Sequence, residues 1–120
     1  MSIITLILAG IVALEHLYIM YLETFATHSD TTSRVFNMSK EELQRDSVKN
    51  LFKNQGIYNG LIAVFLLYGI FTNSQLLVTV FVLNVFFAAV YGAVTANKKI
   101  IFTQGGPAIL TLFSLIISLF

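Results

Sequence analysis

Four apolar stretches, residues 3–25, 54–72, 75–96 and 104–120, take up most of this chain and restrict what it can fold into. Each is close to the roughly 20 residues that an α-helix needs to cross a hydrocarbon core. Inside lipid a segment must also satisfy its own backbone N–H and C=O groups, which helices do and open strands do not. The composition agrees, since 57% of the 120 residues are hydrophobic and 11% charged, too apolar for an ordinary soluble domain. The expected fold is all-α: an integral membrane four-helix bundle forming one four-span domain over residues 1–120.

The first stretch is expected to be a retained span and not a secretory signal, because no basic region precedes it and Glu15 and His16 interrupt its middle. With no cysteine, the chain has no disulfide, thiolate metal site or cysteine nucleophile. A net charge of +1 gives no reason to expect a nucleic-acid partner. There is no HExxH, no second histidine near His16, and no Walker or dinucleotide loop, so no metal is expected and no cofactor is indicated. Whether the chain is an enzyme stays open at this point.

Charge placement suggests a topology. Arg34, Lys40, Arg45, Lys49 and Lys53 lie between or at the junction of spans 1 and 2, Lys98 and Lys99 lie between spans 3 and 4, and "TNSQ" at 72–75 carries no charge. Four spans put the first and third connections on one side, which the positive-inside rule makes cytoplasmic. Both termini are then extracytoplasmic, in a multi-pass protein of the cell membrane. Residues 26–38 are polar and turn-rich, and "SKEE" from Ser39 to Glu42 matches a capping box. Leu43, Val48, Leu51 and Phe52 continue at helical spacing, and Glu41 and Arg45 form an i, i+4 pair. Helix 2 is therefore expected to begin near Lys40 and to extend into the cytoplasm before entering the bilayer near Asn54, with 26–53 as cytoplasmic loop and helix extension. In "QGGPA", Gly105 and Gly106 suggest a turn, and Pro107 suits a first helical turn.

An ionisable side chain at the centre of a span costs ~2.5–3.5 kcal/mol on insertion scales, which makes it a functional candidate by default. Glu15 lies about 18 Å along span 1 at 1.5 Å per residue. His16 and Glu23 share a helix face with about 20° of drift, and Glu23 is near the inner interface. The same depth count on span 2 brings Asn59 level with Glu15, and Asn54 and Gln55 level with Glu23. On span 3, Asn84 is in the outer half and Tyr91 in the inner half, and Thr95, Asn97 and Gln104 gather at the cytoplasmic end. Glu15, His16, Glu23, Asn54, Gln55, Asn59 and Tyr91 are thus the candidate ligand-binding residues. Interhelical hydrogen bonding is the plainer role for the amides, and close packing for the GxxxG of "GIYNG" at 56–60 and for Gly92 with Ala96. The basic loop serves as a topology determinant that also attracts anionic headgroups.

The run "EHLYIMYLETF", then "NQGIYNG", "YGAVT" and "TQGGPA", resembles a family of small bacterial four-helix membrane proteins known only as a domain of unknown function. A more distant resemblance is to the membrane-associated eicosanoid and glutathione metabolism superfamily. It rests on four helices, a long cytoplasmic first connection, the basic-then-Asn pair Lys53 and Asn54 opening helix 2, and Tyr91 on helix 3. Ile57 stands where that superfamily has an acidic residue, and its arginines on helices 2 and 3 are missing. The resemblance implies a homo-oligomer, a trimer before a dimer, holding a lipophilic molecule and in that superfamily a thiol. Glu15 in "AGIVALE" is similar to the helix 1 glutamate of small multidrug resistance transporters, which exchange protons for cationic drugs. This chain's first connection is longer, its charge is one-sided, and it has no Trp to stack a cation.

The expected function is binding, with modification as a possible extension, of a small lipophilic or amphipathic molecule in a cytoplasm-facing intramembrane polar site. In that reading Glu15 handles the proton or anchors the ligand. The alternatives are a proton-coupled small transporter using Glu15, and a non-catalytic membrane scaffold.

Overall fold

The computed structural model describes residues 1–96 and 98–118, and among them every regular element is helical. In chain order these are α1 (Ile3–Met20), extended by a π-helical turn over Tyr21–Phe25, α2 (Asp30–Phe36), α3 (Lys40–Gln44), α4 (Asp46–Phe71), α5 (Gln75–Thr95), α6 (Ile100–Thr103) and α7 (Gly105–Ile117). Ile3–Phe25, Asp46–Phe71 and Gln75–Thr95 are long and apolar enough to cross a membrane. The expected fourth span is shorter. The 13 residues of α7 rise only about 20 Å, against a core of about 30 Å. Pro107 explains the division, because it lacks the N–H that would bond back to the Thr103 carbonyl and carry α6 smoothly into α7. Gly105 and Gly106 are helical here, not a turn. Leu119 and Phe120, the end of the expected span, lie outside the described residues.

The chain divides into two compact units, residues 1–15 with 63–120, and residues 16–62. In the first, α5 packs along α7 and against α6. Val78, Val82, Val85 and Ala89 recur at helical spacing and form the buried stripe of α5, and α7 buries Ala108, Thr111 and Leu115. Gly105 makes a close approach possible, since a Cβ there would lie 3.3 Å from the Ala89 Cβ. Ser74 caps α5 by accepting from the Leu77 N–H at 3.3 Å. Asn73 supplies the left-handed residue of the turn before it, with φ 52°.

Hydroxyls hold the polar part of this unit. Thr5 is fully buried and shares a 2.8 Å hydrogen bond with Ser114 and a 2.9 Å bond with Ser2. Ser114 also donates to the Thr111 carbonyl at 2.7 Å, and Thr111 to the Pro107 carbonyl at 2.8 Å.

The second unit is built from caps. Ser29 accepts from the Thr32 N–H to start α2, and Asn37 ends it with a left-handed φ of 53°. The turn-rich segment thus contains a helix. Its N-terminal signal was the Ser29–Asp30 pair, the N-cap oxygen followed by an acidic first turn. Ser39 accepts from the Glu42 N–H at 3.2 Å, as the capping box predicts. The helix it starts does not run on, however: Arg45 is extended, with ψ 133°, and separates α3 from α4. Arg45 pairs with Glu42 at 3.2 Å instead of Glu41. Buried Thr32 donates to the Ala26 carbonyl at 2.7 Å, and the Phe36 and Phe52 rings stack 5.1 Å apart.

Candidate functional site

The polar site lies in the second unit, where the π turn that ends the first span meets α4. The Ala26 N–H bonds to the Tyr21 carbonyl at 3.0 Å, five residues back, and the Thr27 hydroxyl takes the Glu23 carbonyl at 2.8 Å. π turns insert an extra residue into a helix and are frequent at functional sites. Here the extra residue lies beside Glu23, whose side chain is completely buried.

The GxxxG of α4 creates the approach that this carboxylate needs. A Cβ on Gly56 would collide with the Thr24 Oγ1, and one on Gly60 with the Met20 Sδ. With glycine at both places the helices close up, and the short side chain of Asn59 between them donates to Glu23 Oε1 at 2.6 Å. The Gln55 amide, one turn earlier on α4, reaches toward the same carboxylate, without meeting hydrogen-bond geometry at Oε2. The packing motif and the polar cluster are therefore one construction.

Two corrections to the depth count follow. Asn59 bonds to Glu23 and not to Glu15, because the Met20–Gly60 and Thr24–Gly56 contacts set the antiparallel register. Asn54 is exposed, so of the expected pair only Gln55 turns toward Glu23. Elsewhere, His16 is 3% exposed and has an interaction of its own, Glu15 is half-buried, and Tyr91 and Asn84 are exposed on α5 in the first unit. Thr95 returns its hydroxyl to the Tyr91 carbonyl at 2.8 Å, and Asn97 lies outside the described residues. Thr24 was not singled out from sequence. Its signal was the GxxxG, which demands a small or stiff neighbour on the facing helix.

Among the described residues, the buried side-chain nitrogens and oxygens that lack a hydrogen-bond partner are Glu15 Oε1 and Glu23 Oε2. Both are carboxylate oxygens on the first span. No group of three or more His, Asp or Glu that could hold a metal is present among those residues.

An all-helical chain with three helices of membrane-crossing length and a buried carboxylate–amide cluster defines a class of small, span-rich helical proteins. Within it, the chain belongs to the DUF1304 family, a protein family of unknown function whose pattern matches residues 10–116. It is 62% identical over 116 residues to the uncharacterized protein YpaA of Lactococcus lactis subsp. lactis strain IL1403, covering 95% of this chain and 98% of that one. No solved structure matches it.

Proposed function

We propose that the protein binds a small lipophilic or amphipathic molecule carrying a hydrogen-bond donor or ammonium group, anchored at Glu23 in an intramembrane site open to the cytoplasm. The observation that carries this reading is the buried Glu23 Oε2 without a partner, beside an Oε1 held by Asn59 at 2.6 Å. Leaving a buried polar atom unmatched costs about 1–3 kcal/mol, and a ligand donor at Oε2 removes that cost. The Asn59 bond orients the carboxylate, and Gln55 and exposed Asn54 lie at the mouth. Grouping of the seven basic residues supports a cytoplasmic face for that side and extracytoplasmic termini. The superfamily resemblance supports a homo-oligomer, a trimer before a dimer.

Infrared difference spectroscopy on the protein in lipid nanodiscs tests this with dodecylamine as the probe. A saturable change in the carboxyl bands is expected. It should be lost in Glu23→Gln, kept in Glu15→Gln, and weak for dodecyltrimethylammonium, which has no N–H to donate. Absence of any saturable change in the parent protein sinks the binding reading and leaves the cluster as interhelical adhesive in a scaffold. The unmatched Glu15 Oε1 favours a second reading, a proton-coupled transporter. Proton flux into liposomes that disappears in Glu15→Gln but persists in Glu23→Gln selects it.

A further inference from the structure

At the corner where α5 ends and α6 begins, wholly within the first unit, there is an apolar groove of about 550 Å³. Val90, Ala93, Val94, Lys98, Ile101 and Phe102 line it. Its volume is within the ~300–1,000 Å³ of ligand-sized pockets. It is an open trough, since Val94 is 81% and Phe102 78% exposed.

Lys98 is the single charged group in the lining. Lys40, Arg45 and Lys49 each have a carboxylate partner, on Asp30, Glu42 and Asp46. Lys98 is exposed and has none among the described residues. After Asp46 the sequence contains no acidic residue, so α5, α6 and α7 offer no carboxylate to compete for that ammonium. Lys99, next in the chain, adds to the positive field.

An apolar trough ending at an ammonium is complementary to an acyl chain ending in an anion. A chain with three helices of membrane-crossing composition is bathed in such molecules. We propose that this corner is a binding site for an anionic phospholipid of the surrounding bilayer, with an acyl chain along Val90, Val94 and Phe102 and the phosphate at Lys98. This site shares no residue with the Glu23 cluster and stands whether or not that cluster binds a ligand.

Native mass spectrometry of the full chain, supplied with equal phosphatidylglycerol and phosphatidylcholine, tests the proposal. Phosphatidylglycerol should be retained preferentially. Lys98→Gln should lower its retention about fivefold, the equivalent of the ~1 kcal/mol that one Lys contributes near an anionic surface. Lys98→Arg should restore it. Ala93→Phe, which fills the trough and leaves the charge, should reduce retention of both lipids, and inorganic phosphate should displace neither. Displacement by phosphate would mean a free-anion site and overturn the lipid reading. Equal retention of the two lipids by the parent protein overturns the proposal, as does phosphatidylglycerol binding that survives both Lys98→Gln and Ala93→Phe. A dimer that excludes lipid from this corner overturns it too, by giving the trough to a second copy.

Discussion

The two units bury polarity in different ways. Around Thr5 every buried hydroxyl has a second recourse: Thr5 has both Ser2 and Ser114, and Ser114 also reaches the Thr111 carbonyl. Around Glu23 the geometry is singular, with one carboxylate oxygen resting on one amide and the other on none. Hydroxyls both donate and accept, so a cluster of them re-pairs after a loss, whereas an ionised carboxylate only accepts and depends on donors placed for it. Redundant pairing suits a structural seam. A single oriented donor with an unmet neighbour suits a place that exchanges partners.

The strongest way to break this contrast is to push the helices of the second unit apart. Gly56→Val should cost about 1–3 kcal/mol, as overpacking does, because the β-branched Thr24 it meets has little freedom to move. Gly60→Ala should cost under about 1 kcal/mol, because the atom it meets ends the flexible Met20 side chain. Steric-trap unfolding in bicelles measures both, and equal losses would mean that Gly56 is not the tighter contact. Next comes Asn59→Leu, expected to cost about 1–3 kcal/mol by orphaning Glu23 Oε1. The double variant with Glu23→Leu should recover most of that loss, and additive losses would deny the coupling.

Thr5→Val should be milder, about 0.6 kcal/mol, the average for an interhelical hydrogen bond in a membrane protein. A loss as large as that of Asn59→Leu would erase the distinction between the two clusters. The smallest effect concerns the surface of the second unit. Lys40, by hydrogen bond and charge, holds the exposed Asp30 carboxyl below its ordinary 3.8. Its depressed value means that the pair's contribution is fully present above that ordinary value and disappears as pH falls through the lowered one. Hydrogen exchange at the Thr32 amide should therefore quicken at the acid end of a titration in parent protein but not in Asp30→Asn. Added salt should blunt the difference, as it does for exposed pairs.

Much of the architecture was readable in the sequence where length and patterning decide it. The helices over 75–95 and 46–71, the Ser39 cap and the glycine pair at 56 and 60 follow from apolar run length, a capping oxygen and small-residue spacing, all local properties. The break at Arg45 was not readable, because nothing about an arginine after Gln44 forbids a helical ψ; its extended ψ becomes visible only in the three-dimensional structure. The pairing of Asn59 with Glu23 was missed for a related reason. Depth counts assume that both spans begin at the interface, and an error of one turn on each helix exchanges one glutamate for the other. The π turn escaped because an inserted residue leaves no mark in hydropathy.

That inserted residue also makes chain length itself a variable of the site. Deleting one residue from Tyr21–Phe25 should let the segment relax into an ordinary α-helix and rotate all that follows by about 100°, one residue's share of a 3.6-residue turn. The α1 backbone up to Met20 would keep its place opposite Gly60, while Thr27 would swing away from the Glu23 carbonyl that it now bonds. A one-codon deletion could then reach what point substitution cannot, by resetting the angular phase between a membrane helix and the loop that leaves it.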